Sequence, residues 1–352
     1  RKDYDTVYQS SAFGFYCALL CGVLFSVACT LARTPLLAML GADSQTAPAT
    51  AAYLRWTTTF GAAPAILNVV LAYLVRSEGA AVHASVGTMN GCLLNILLDP
   101  LFILLWGLNM GAEGAGLATF VSNCVACLYF FVLLFIRRGN TYVCIRPSAL
   151  RPKREIVLGV CGVGIPASIQ NLLNVTGMTI LNNFTAAYGA DAVAAMGIAQ
   201  KVNMVPLYIS LGLSHGIMPL VSYSYASGNG RRMKQTVTFS AKTALTFILT
   251  LCLCYYLFAA QLTQLFINQQ AIVDYGARFL WGLCLGLPFL CMDFLAVGVF
   301  QAVGMGREAL GFAITRKIIL EIPALYILNA LFPLYDLAYA QLAAEVILSV
   351  LA

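Results

Sequence analysis

Charge is scarce in this chain. Asp, Glu, Lys and Arg make up 10% of its 352 residues, against about 25% in an ordinary soluble domain. That composition cannot cover a water-facing surface. Histidine is scarcer still, with His83 and His215 far apart. No H-E-x-x-H occurs, and two isolated histidines make a Ser–His or Cys–His site hard to assemble, so no enzyme is expected. One C-x-x-C, Cys124 and Cys127, has no second pair to complete a metal site. Eleven of the 12 cysteines lie in apolar stretches and only Cys144 in a polar loop. In lipid, cysteine acts as a small hydrophobe that permits close helix contact.

Apolar sequence fills the space that charge leaves. Hydrophobic residues are 61% of the chain and the mean hydropathy is +0.84. Crossing a bilayer takes about 20 apolar residues as a helix, because every backbone group must be satisfied internally. Ten stretches qualify: 11–33, 50–75, 81–107, 113–136, 157–187, 193–226, 238–260, 272–300, 309–331 and 337–352. The chain is therefore read as an all-α, polytopic protein of the plasma (inner) membrane, with the lipid bilayer as its main partner.

The net charge of +6 reflects topology and gives no reason to expect a nucleic-acid partner. With Arg1 in the cytoplasm, all Lys and Arg except Arg33, Arg55, Lys201 and Arg278 fall at cytoplasmic ends and loops, Arg316 and Lys317 included. Basic residues favour the cytoplasmic side.

The longest polar stretch, Arg137–Glu155, contains Pro147 and Pro152 and separates four spans from six. It divides the chain into a partial first lobe (1–138), a linker (139–156) and a second lobe (157–352). The lobes echo each other. An offset of 225 pairs Trp56 with Trp281, Gly61 with Gly286, Asn68 with Asp293 and Gly79 with Gly304, while Arg1–Val7 aligns with Arg231–Val237 at 230. Spans two and eight run in the same direction, so the repeats are parallel. Internal repeats of this kind build transporters, with the substrate site near the midplane. The first two spans of the second lobe have no counterpart before Arg1. Twelve helices, six plus six, are expected, with two absent here.

Six segments give that arrangement a family likeness: Asn95–Ile103 (NILLDPLFI), Gly111–Ser122 (GAEGAGLATFVS), Gly164–Leu173 (GIPASIQNLL), Tyr188–Asn203 (YGADAVAAMGIAQKVN), Pro219–Arg232 (PLVSYSYASGNGRR) and Gln301–Gly304. In order and spacing the chain resembles the multidrug and toxic compound extrusion (MATE) family, in its bacterial DinF- and MepA-like branch, as helices three to twelve. The resemblance implies two pseudo-symmetric six-helix lobes. It also implies antiport of small organic cations or amphipathic drugs against H⁺ or Na⁺, with no other cofactor; a monomer is expected. A flippase for lipid-linked sugars or cell-wall precursors, of the same superfamily, is the alternative. Its diphosphate cargo wants buried arginines, and basic residues at membrane depth are nearly absent from the sequence reading.

Acids inside apolar runs are the coupling candidates, since an ionised one costs about 2.5–3.5 kcal/mol at a helix centre. Asp293 lies in LGLPFLCMDFLAVGVF and Glu345 in AQLAAEVILSV, each without a partner nearby in sequence. Asp293 matches a position where some members of the resembled family carry a tenth-helix carboxylate. Glu321 has Lys317 at i−4 and Arg316 at i−5, a helix-face ion pair. Asp99 precedes Pro100 and is expected to accept hydrogen bonds there. Span five carries Gln170, Asn171 and Asn174, then Asn182 and Asn183; with Asn68, Gln200, Asn203 and Met178 these are the candidate cavity residues. The bend expected after Gly162, Gly164 and Pro166 rests on their helix-breaking character. Span five contains no acid, where Na⁺-driven NorM-like members have one. The first helix, where H⁺-coupled members have theirs, is missing. The coupling ion stays open.

Overall fold

The computed structural model describes residues 4–39, 46–104, 107–151, 153–331 and 338–351. Arg1, Lys2, Leu105, Trp106, Pro152, Leu337 and Ala352, which entered the sequence reading, lie outside the described residues. Helix is the dominant structure and no strand occurs among the described residues. In hydrocarbon only a helix satisfies its own backbone within one segment.

The chain divides into two compact units, Arg1–Val160 and Cys161–Ala352. The first holds α1 (Tyr4–Leu31), the short α2 (Arg33–Met39), α3 (Ala47–Leu54), α4 (Ala62–Ser77), α5 (Ala81–Ile103) and α6 (Gly111–Ile136). Its core joins Phe15 of α1, Leu71 and Val75 of α4, Ala84 of α5 and Phe130 of α6. Then come α7 (Arg154–Ala186), α8 (Ala190–Ala226), α9 (Gly230–Gln264), α10 (Gln270–Ala302), α11 (Gly306–Ile314), α12 (Ile322–Leu331) and α13 (Tyr339–Leu351). The apolar window of α10 is 61% buried, against 11–28% for the other six single spans. That contrast makes α10 the central helix of its unit; it packs on α8, α9 and α13. Met196, Ile248, Phe279 and Leu287 form the surrounding core.

Among the described residues, seven single helices are long and apolar enough to cross a bilayer, and α3 with α4 supplies an eighth as a pair bent by 49°. Ten were expected. The ninth stretch is α11, a π-helical segment Thr315–Glu321 and α12 in succession, with three charged residues in its middle. The tenth, α13, is 13 residues long, short for a span. The bend before α4 follows a second π-helical segment, Arg55–Phe60. A Cβ on Gly61 would collide with the carbonyl oxygen of Trp56 and lie 2.8 Å from that of Thr57, so only glycine fits there. α7 runs as one helix from Arg154 to Ala186 with Pro166 inside it. Gly79 and Gly304, paired by the repeat, close their helices with φ of +90° and +85°, a conformation open to glycine.

Candidate functional site

The second unit buries a cluster of five charged side chains. Asp293 on α10 is 5% exposed, Glu345 on α13 is 2% and Arg316 on the π-helical segment is 1%. Arg316 is the largest fully buried side chain described. Its Nη1 donates to Asp293 Oδ2 and stands 3.6 Å from Glu345 Oε1. Its Nη2 donates to Asn174 Oδ1 on α7 at 2.7 Å. On the next residue of the π-helical segment, Lys317 Nζ donates to Glu321 Oε1 at 2.6 Å. Gly177, one turn after Asn174, backs that pair: a Cβ there would lie 3.2 Å from Lys317 Nζ. The extra residue per turn of a π-helix turns side chains away from their α-helical positions, and such segments recur at functional sites.

Three carboxylates face two cations in this cluster, leaving one negative charge formally unbalanced. Several polar atoms are also short of partners. Asp293 Oδ1, Glu345 Oε1, Glu321 Oε2 and Arg316 Nε are buried without a hydrogen bond. An unmade hydrogen bond in a dry interior costs about 1–3 kcal/mol, more for a charged group. Taking up one proton neutralises the surplus charge and turns one unpartnered acceptor into a donor.

These contacts correct the sequence reading of Arg316. Its expected place at a cytoplasmic helix end is overturned by near-complete burial. It also forms no helix-face pair with Glu321; Lys317 alone makes that pair. Spacing rules look three or four residues away, whereas the partner of Arg316 lies 23 residues back. Neither Asp293 nor Glu345 is unpaired, and basic residues at depth are present. Both are engaged by acids of the same unit, so neither is free to bind a diphosphate, and the flippase alternative is not favoured.

The proposed polar residues do not converge on one point. Asn174 joins the charged cluster, and Gln170 on the preceding turn accepts from Gln301 Nε2 of α10 at 3.3 Å. Asn171 is exposed and bonds its own helix at Ala167 O. Gln200 donates to Asn182 Oδ1 at 3.2 Å. Asn203 is 6% exposed and its Oδ1 has no partner. Met178 is 38% exposed. Asn68 belongs to the first unit, where it donates to Asn123 Oδ1 at 3.2 Å. Asp99 accepts from Asn95 Nδ2 at 3.4 Å. Residues Gly212–Gly216 (GLSHG) spell G-x-S-x-G, which the sequence reading overlooked. They sit within α8, and Ser214 Oγ donates to Phe294 O at 2.7 Å, so this serine is no strand-to-helix nucleophile. The described residues contain no group of three or more His, Cys, Asp or Glu suited to a metal.

The MatE family pattern matches residues 1–101 and 166–327. This chain belongs to the MatE family. The multidrug export protein MepA of Staphylococcus saprophyticus is 34% identical over 348 residues, covering 98% of this chain and 75% of that protein. MepA of Staphylococcus haemolyticus is 32% identical over 354 residues, covering 100% and 76%. Among solved structures, the outward-facing conformation of a multidrug resistance MATE family transporter of the MOP superfamily superposes with a TM-score of 0.89, at 24% identity, over 99% of this chain and 81% of that one. At that identity the structural likeness speaks for the fold. The MatE chain is thus an all-α, multi-pass membrane protein of the bacterial inner membrane with relatives named as exporters, not enzymes.

Proposed function

We propose that this MatE protein is a multidrug exporter that releases small organic cations or amphipathic drugs in exchange for protons. Its relatives are named for multidrug export, and the buried Asp293–Arg316–Glu345 cluster is the observation that carries the coupling. A charge inside a membrane span is costly enough to mark a functional site by default. Here the cost is incurred five times over in one place.

The proton is favoured over Na⁺ by Arg316. A hard metal cation needs several oxygen ligands, and the guanidinium already lies between the two acids that would supply them. At 4 Å and an effective dielectric near 20, two like unit charges repel by about 4 kcal/mol. A proton needs only one unpartnered oxygen, on Asp293 or Glu345. The groups that set its affinity are Asp293 from α10, Glu345 from α13, Arg316, Lys317 and Glu321 from the π-helical segment, and neutral Asn174 from α7. Loading the cluster stabilises one opening of the transporter, and the drug stabilises the other; a ligand binding both equally shifts nothing.

Asp293→Asn tests the reading. In cells loaded with ethidium, this variant is expected to lose gradient-driven efflux while reaching the membrane in normal amounts. Undiminished efflux removes Asp293 from the mechanism.

A further inference from the structure

The first unit carries an arginine-lined cavity that the export cycle does not use. It measures about 800 Å³ and lies between the start of α1, the end of α6 and the segment after α6. Arg138, Arg146 and Arg151 line it, with Asp5 the one acid and the rings of Phe131 and Phe135 on the apolar side. By the bias of basic residues, this is the cytoplasmic end of the helices.

The cavity is held open by the chain itself. Glu78 Oε2 accepts from Thr141 Oγ1 at 2.7 Å and from Tyr142 N at 3.0 Å. Ser11 Oγ accepts from Cys144 N at 2.9 Å, and the Tyr16 hydroxyl donates to Ile145 O at 3.0 Å. Tyr142 stacks on Tyr4 with ring centroids 5.2 Å apart. Residues 141–145 are thereby strapped across α1 and α4. The neighbouring Arg137 is engaged, donating to His83 Nε2 at 2.7 Å. By contrast, Arg138, Arg146 and Arg151 make no salt bridge or side-chain hydrogen bond among the described residues. Three arginines thus line one hollow with a single carboxylate to offset them.

We infer that this hollow binds the phosphate of an anionic phospholipid from the cytoplasmic leaflet. Guanidinium groups recognise phosphate oxygens in pairs, and basic pockets beside membrane helices on this side hold anionic head groups. The apolar wall points to a lipid over a free anion: Phe135 lines the cavity and is 73% exposed, so apolar surface for an acyl chain adjoins the arginines. The lipid sits under the segment that leads from the first unit toward α7 and restrains it.

Native mass spectrometry of the detergent-solubilised full-length protein provides the test, with dioleoylphosphatidylglycerol, dioleoylphosphatidylcholine and inorganic phosphate offered in turn. The wild type is expected to retain phosphatidylglycerol, and the triple variant Arg138→Gln/Arg146→Gln/Arg151→Gln to bind it at least about tenfold more weakly. The same charge loss elsewhere, Arg231→Gln/Arg232→Gln/Lys234→Gln, is expected to leave retention unchanged. Arg146→Gln alone, at an exposed position, is expected to weaken binding a few-fold and guards against misfolding of the triple variant. Equal retention by the triple variant and the wild type, equal loss in both triple variants, or full displacement of the lipid by inorganic phosphate would each overturn the inference.

Discussion

The two units place different chemistry on one repeated framework. At the offset of 225, Asp293 falls on Asn68 and Arg316 on Gly91, while Glu345 of α13 falls on Phe120 of α6, one turn before Asn123. In the first unit Asn68 donates to Asn123 Oδ1, and Asn123 Nδ2 donates in turn to Thr119 O at 2.9 Å. Gly91 lets α5 press against α6: a Cβ there would lie 3.1 Å from Ala126 Cβ and 3.3 Å from Ser122 O. Any larger side chain would have to push α6 back. The second unit replaces this close neutral contact with a guanidinium and two acids. One half of the repeat is thus a close-packed amide joint, and the other holds ionisable groups that can change charge. The coupling proposed above therefore rests on the second unit.

Removing Arg316 should break the contrast most severely. Arg316→Gln leaves buried carboxylates without their cation, and losing one partner of a buried pair costs about 3–5 kcal/mol. Thermal unfolding in detergent is expected to show a marked drop, and Asp293→Asn/Arg316→Gln to recover much of it without restoring transport. A double variant no more stable than the single one would mean that the two side chains do not act as a pair.

Next in size is the reverse change, Asn68→Asp. It places an acid at the repeat-equivalent position with no arginine to meet it, at a cost of about 2.5–3.5 kcal/mol. Lower folded yield and unaltered dependence on the pH gradient are expected. A new proton-coupled flux would contradict the assignment of coupling to one unit. Gly91→Leu should destabilise by about 1–3 kcal/mol through overpacking, readable in the same melting assay. The smallest effect belongs to Asn174→Ala. It removes one hydrogen bond to a charged group, worth about 1.5 kcal/mol, and is expected to shift the pH dependence of efflux without abolishing it.

Much of this architecture was legible in the residues. Apolar runs located the seven single crossing helices and the bent pair, though two further runs, 309–331 and 337–352, are interrupted or short among the described residues, and the offset of 225 anticipated the matched turns at Gly79 and Gly304. Asp293 and Glu345 stood out because an acid in an apolar run has no neutral explanation nearby. Arg316 was misplaced, since its nearest charged neighbours in sequence suggested a helix end, and its real partners come from α10, α7 and α13. No spacing rule reaches them. The offset itself held a missed signal: Gly91 opposite Arg316 marks a position where one repeat is tightly packed and the other is not. Both π-helical segments were also beyond the sequence, because Arg55–Phe60 and Thr315–Glu321 have no composition that separates them from an α-helix.

The most direct test is drug transport by the purified full-length protein in proteoliposomes, with ethidium as cargo, under an imposed pH gradient without Na⁺ and an imposed Na⁺ gradient without a pH difference. The account predicts transport under the pH gradient alone, lost in Asp293→Asn. Equal transport by the wild type under the Na⁺ gradient alone would contradict it, because the guanidinium of Arg316 would then not be holding the place a metal ion needs.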